Sequence, residues 1–295
     1  MWKISIKKLI VRRSGVFSML PSPKNNVLYL FNALILTLVC NSYALAETQF
    51  FEDFNGRGVD ESIWEFPAGD ASFNGRTQMR HSYPPVSKGL LHLQFDTYNP
   101  TANPVGKSFY GSEIVLRKPI ERGTGLIAEI RARMVTPVKG LVGGAFLYKY
   151  FPETQNHSEI DFELLSNIPD QVQTNIYASE PLGIGHPEFN GIPKFDITRF
   201  NTYRVEWGPD RVRWFVNDKL VRENSTLVPN EALNLHLNFY GPECNWAIAC
   251  DANLHPASSP ANNKTYVFDI DWVRVKFNAS HRDVAKKQKP SKPKK

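Results

Sequence analysis

The run His157-Ser158-Glu159-Ile160-Asp161-Phe162-Glu163-Leu164-Leu165 admits few conformations. Carboxylates at 159, 161 and 163 alternate with apolar Ile160, Phe162 and Leu164. A helix would scatter the acids around its circumference. A strand, with its period of two, gathers them on one face and turns the apolar side chains to the other. The segment therefore demands a core on one side of a sheet and open space on the other.

Three like charges on one face repel each other, and no Lys or Arg interrupts the run to relieve them. The plain alternative is a solvated acidic face on an amphipathic strand. Against it, crowded carboxylates raise one another's proton affinity, so that one stays protonated near neutral pH. Their spacing also suits glycoside hydrolysis. At a rise of ~3.3 Å per residue, the Cα atoms of Glu159 and Glu163 stand about 13 Å apart. Inward lean of both side chains brings the carboxyl groups to about 5–6 Å, against ~5–5.5 Å for retaining glycosidases. On spacing alone, either glutamate fits either catalytic role.

The formal charge of +6 misleads about partners. Residues 1–46 hold six basic and no acidic groups, and residues 281–295 hold seven basic groups and Asp283. Of 35 basic and 29 acidic residues, 22 and 28 remain between those ends, a net of −6. Nucleic acid is thereby excluded as the expected partner. The N-terminal excess belongs to an expected export signal over residues 1–46. Lys24 precedes an apolar stretch from Val27 to Cys40, and Tyr43-Ala44-Leu45-Ala46 supplies small cleavage-site residues. Met19 is the alternative initiator. The stretch is short for a bilayer span, so no stable membrane insertion is expected, and the mature chain is assigned to the periplasm or the exterior. From residue 279 to 295, Lys and Pro occur with almost nothing apolar to bury, which reads as a disordered basic tail. With the signal removed, Cys244 and Cys250 remain, and an even pair in an exported chain favours a disulfide. A metal pair completed by His236 and His255 is the alternative, although its spacing matches no familiar zinc pattern.

Between Phe50 and Phe277, short β-like runs are broken by Gly, Pro and Asn. They include 90–95, 125–133, 143–148, 172–177, 202–207, 211–216, 232–239 and 265–275. Asn217-Asp218 between Arg211–Val216 and Lys219–Val221 reads as a tight hairpin. No long helical periodicity occurs, so an all-β sandwich or jelly roll is the expected fold.

Glu159-Ile-Asp161-Phe-Glu163 resembles the E-x-D-x-E signature of glycoside hydrolase family 16, which includes lichenases, laminarinases, agarases and xyloglucan transglycosylases. Four further stretches extend the resemblance in the right order: Val172–Tyr177, Phe200–Trp207, Trp214–Asp218 and Asp271-Trp272-Val273. It covers roughly Phe50 to Phe277, within a catalytic domain placed at 47–278. It implies a concanavalin-like jelly-roll β-sandwich with an open concave cleft for a polysaccharide. It also implies Glu159 as nucleophile, Glu163 as general acid/base, and Asp161 between them tuning their protonation. Glu113, Asn175 and Tyr177 match sugar-contacting positions. Tyr240, Trp246 and Phe239 fall where relatives carry stacking aromatics, and Trp207 and Trp214 are assigned to the core. His157 stands where lichenases often carry Trp, on the same face as the acids, and is expected to bond a carboxylate or a sugar hydroxyl. Catalysis needs no cofactor in this family, but some members bind a structural calcium, for which Asp271 matches one ligand position. The activity implied is that of a secreted, monomeric, retaining endo-β-glycanase acting on a β-1,3/β-1,4-glucan. A transglycosylase using the same residues and a catalytically silent glycan-binding jelly roll are the alternatives.

Overall fold

The expected runs become strands within a few residues of their predicted ends. The computed structural model describes residues 47–67, 76–101 and 109–277. The export signal at 1–46 and the basic tail at 279–295 lie outside those residues. Among the described residues, no helix is long and apolar enough to cross a membrane.

Among the described residues, sixteen strands and one 3-10 turn, Pro260–Asn262, make up the regular structure. The concave half is ordered β11 (Glu188–Gly191), β10 (Gln171–Pro181), β9 (Asn156–Leu165), β8 (Val142–Phe151), β15 (Asn234–Tyr240) and β6 (Phe109–Leu116). The convex half is ordered β5 (Leu90–Asp96), β16 (Thr265–Phe277), β7 (Leu126–Val135), β12 (Asn201–Trp207), β13 (Val212–Val216) and β14 (Lys219–Asn224). All neighbours along this path run antiparallel, and the halves meet where Asp96 of β5 pairs with Tyr110 of β6. Four short strands flank the path: β1 (Glu47–Glu52) on β16, β2 (Trp64–Glu65) and β3 (Thr77–Met79) on β6, and β4 (Val86–Ser87) on β5.

One apolar core lies between the halves. Ile160, Phe162 and Leu164 enter it from β9, while Tyr203, Val205, Trp207 and Trp214 enter from β12 and β13. The ring of Phe162 meets that of Tyr203 edge-on at 5.5 Å. Trp207 and Trp214 are fully buried, as expected. Each satisfies its indole N–H in the core, Trp207 on the Pro229 carbonyl at 2.9 Å and Trp214 on the Asp161 carbonyl at 3.0 Å. The second bond runs from the convex half to the backbone of the carboxylate strand. The predicted hairpin forms between β13 and β14, where Asn217 and Asp218 both take positive φ (49° and 63°), as a tight type I′ turn requires.

Candidate active site

Register fixes what surrounds the acids. Along β9, Glu159, Asp161 and Glu163 pair with Tyr148, Phe146 and Gly144 of β8 on one side. On the other they pair with Tyr177, Asn175 and Gln173 of β10. Pairing of β8 with β15 then sets Asn238 beside Gly144 and His236 beside Phe146. One open recess on the concave face is lined by all three acids together with His157, Tyr148, Tyr177 and Tyr240. Gly144 lines it too, and a Cβ there would stand 2.3 Å from Asn238 Oδ1, which would have to move aside.

Electrostatics within the recess favour protons. Burial pushes Glu159 up to about 8, helped by the charges of Glu163 and Glu113 and opposed by a hydrogen bond from Asp161. Asp161 is held well above the usual carboxylate range by burial and by Glu159, with buried Arg222 opposing. Glu163 is also held well above its usual range, by burial first and by Asp161 second, while an amide hydrogen bond from Gln173 opposes. Tyr148 rises to about 12 through burial and the charge of Glu159. The hydrogen bond between Asp161 and Glu159 raises Asp161 and lowers Glu159, so it favours a proton on Asp161 over one on Glu159.

The remaining expected site residues fall into three groups. His157 and Tyr177 line the recess, with ring centroids 4.1 Å apart, and Tyr240 lines it from β15. Glu113 and Asn175 sit behind the wall. Glu113 is buried with Oε1 2.7 Å from His236 Nδ1, and Asn175 accepts the His186 N–H at 2.8 Å while donating to the Tyr177 hydroxyl at 3.1 Å. Trp246 is half-buried against the small cluster that holds Tyr240, Met79 and Val142, and it is not among the residues lining the recess. Phe239 differs from its expectation: it is fully buried between Phe95 and Phe268. Adjacent strand residues point to opposite faces, so Tyr240 in the cleft places Phe239 in the core.

Cys244 and Cys250 form the expected disulfide, with Cα atoms 5.0 Å apart. At Asp271, the position expected to offer a calcium ligand, the carboxylate pairs with the Arg131 guanidinium. Among the described residues, no group of three or more His, Cys, Asp or Glu side chains gathers to hold a metal.

Sequence reasoning missed Phe146, Tyr148, Asn238 and the loop residues Leu182 and Gly183, all of which line the recess. Alternation of Gly144, Phe146 and Tyr148 was a usable signal for one shared face. It did not say which strand lies next to β9. The loop after β10 is fastened by polar ties: His186 Nε2 lies 3.0 Å from a Glu180 carboxylate oxygen, and Arg222 donates to the His186 carbonyl at 2.9 Å.

A curved antiparallel sandwich with a row of proton-loaded carboxylates in an open concave recess defines a class of glycan-cleaving jelly rolls. The chain belongs to the glycosyl hydrolases family 16, whose model matches residues 91–274. It is 30% identical over 158 residues to the endo-1,3-1,4-beta-glycanase ExoK of Rhizobium meliloti, covering 52% of this chain and 55% of that protein. It is 26% identical to xyloglucan endotransglucosylase protein 7 of Diospyros kaki, covering 48% of this chain and 49% of the relative. The matched part of the chain thus spans about half the length of these curated relatives. The beta-glucanase of Bacillus subtilis is 26% identical, with 75% of this chain and 88% of that protein covered. Among solved structures, a lichenase from a mouse hindgut metagenome superposes with a TM-score of 0.62 at 23% identity, covering 77% of this chain and 97% of the other. The endo-beta-1,3-glucanase of Pyrococcus furiosus gives 0.65 at 17% identity, covering 79% and 94%. Likeness at such identities bears on the fold alone.

Proposed function

We propose that the protein is an exported, retaining endo-β-glycanase that cleaves a β-1,3/β-1,4-glucan by double displacement. The observation that carries this reading is the placement of Glu159, Asp161 and Glu163 on one strand face, desolvated together in one open recess. Glu159 ionises and attacks the anomeric carbon, while Glu163, still protonated, delivers its proton to the departing glycosidic oxygen. Glu163 then takes a proton from the incoming water, and Glu159 leaves as a carboxylate. Asp161 keeps its proton throughout and favours the ionised form of Glu159 through the hydrogen bond between them. An open recess suits an internal segment of a long chain, and Tyr177 and Tyr240 in its lining are the aromatic side chains proposed to meet the sugars.

Product analysis by mass spectrometry on mixed-linkage glucan, laminarin, xyloglucan, agarose and an acidic exopolysaccharide tests this reading, with Glu159→Ala as control. Oligosaccharides from the mixed-linkage glucan or laminarin, absent in the control and released first as the β-anomer, are the expected result. Products of inverted configuration would sink the double displacement. The likeness to a xyloglucan endotransglucosylase favours a second reading, in which an acceptor sugar replaces water. Products longer than the donor fragments would establish it.

A further inference from the structure

His157 precedes the proposed nucleophile by one alternation of the strand and is buried, with only 2% of its surface exposed. Its Nδ1 lies 3.0 Å from the Glu180 carbonyl oxygen. A carbonyl only accepts, so Nδ1 carries the hydrogen and Nε2 of the neutral ring carries a lone pair. Nε2 lies 3.3 Å from Glu159 Oε2. A lone pair this near a carboxylate oxygen is repulsive unless one of the two atoms carries a proton.

We infer that His157 is the proton partner of Glu159: its Nε2 receives the carboxyl proton when the nucleophile ionises and returns it when the enzyme is reset. The inference rests on the reading of Glu159 as nucleophile. The transfer breaks the Oε2–H bond and forms an Nε2–H bond, turning a neutral pair into an imidazolium beside a carboxylate with no change in net charge. Attack then consumes the carboxylate as a glycosyl ester, and the imidazolium holds the proton. Once water has released the sugar, the freed carboxylate takes the proton back. Resting preferences agree, since burial lowers His157 and raises Glu159, so the neutral pair is the ground state.

Other titratable groups surround the pair. On β9, Asp161 donates to Glu159 and Glu163 holds its own proton. From β8, Tyr148 approaches the His157 ring at 5.8 Å, and Tyr150 pairs with His157 across the strands. From β10, the Tyr177 ring lies at 4.1 Å, and the Glu180 carboxylate is engaged by His186. Glu113 from β6 and Tyr240 from β15 act on the acids from farther away. Tyr148, Tyr177 and Tyr240 all hold their protons more tightly than usual.

Nitrogen-15 NMR of the labelled full chain tests the inference without any turnover. Wild-type His157 is expected as the Nδ1–H tautomer, with an Nε2 shift that titrates in two steps, the upper one following Glu159 near pH 8. In Glu159→Gln the upper step disappears. Identical titration in both proteins, or an Nε2–H tautomer, overturns the inference. Kinetics give a second readout. On mixed-linkage glucan, His157→Gln moves the acid limb of kcat/KM to higher pH by roughly one unit and leaves the alkaline limb in place. A uniform fall in kcat with both limbs unmoved would mark His157 as structural only. Loss of the nucleophile reading has a separate signature, turnover surviving in Glu159→Ala, so the two failures are distinguishable.

Discussion

The two halves of the sandwich treat the same chemical group in opposite ways. On the convex half, carboxylates meet guanidinium groups: Asp269 with Arg133 at 3.0 Å, Glu129 with Arg274 at 2.8 Å, Glu206 with Arg213 at 2.6 Å, and Asp271 with Arg131. These arginines also lie over aromatic rings, Arg131 and Arg133 over Phe200, Arg213 over Phe215 and Arg274 over Trp272. On the concave half, three carboxylates share a recess whose lining holds no lysine or arginine. Pairing fixes an acid in its ionised form and removes it from proton chemistry. Desolvation without a partner costs stability and leaves the acid able to trade protons.

Three measurements break or sharpen this contrast. The largest effect is expected in the recess: Glu159→Ala or Glu163→Ala lowers kcat by about a thousandfold or more, since removing nucleophile or acid removes the covalent route. Near-normal turnover in either variant would cancel that residue's role. An intermediate effect is on stability. Groups raised above their unfolded values bind more protons folded than unfolded, so their contribution falls as pH rises from about 4.5, the ordinary glutamate value, through the raised folded one. Glu163→Gln removes that loss and should raise Tm at pH 7 by several degrees. Its advantage should shrink toward zero below pH 4, as calorimetry at the two pH values would reveal. The smallest effect belongs to the convex half. Arg131→Ala, which breaks a pair with side chains 38% and 25% exposed, should cost about 0–1 kcal/mol and leave the pH profile unchanged. A shifted profile would mean that the halves communicate electrostatically.

How much of this was legible in the sequence depended on whether local periodicity was enough. Alternation at 157–165 placed the acids on one face, and the hairpin at Asn217-Asp218 followed from turn chemistry alone. Parity could also have separated Phe239 from Tyr240, because neighbours on a strand cannot share a face. What local pattern could not supply was adjacency. Nothing in Gly144, Phe146 and Tyr148 says that they lie beside Glu163, Asp161 and Glu159. Likewise the distance of 140 residues between Arg131 and Asp271 hid the ion pair between them. The buckle of His186, Glu180 and Arg222 was equally invisible, since it joins a loop to strands of both halves.

The bond from the Trp214 indole to the Asp161 carbonyl has a mechanical meaning. It ties the floor of the cleft to the opposite layer at Asp161, the midpoint of the acidic row, through a rigid bicyclic side chain. The rims beyond β10 and β15 have no such brace to the layer beneath among the bonds described above, apart from Arg222, which donates to the Thr174 carbonyl at 3.0 Å. On the proposed reading, a glycan settling onto this floor meets backbone that is anchored at its centre. Bringing an anomeric carbon onto Glu159 then falls to the sugar ring and the rims.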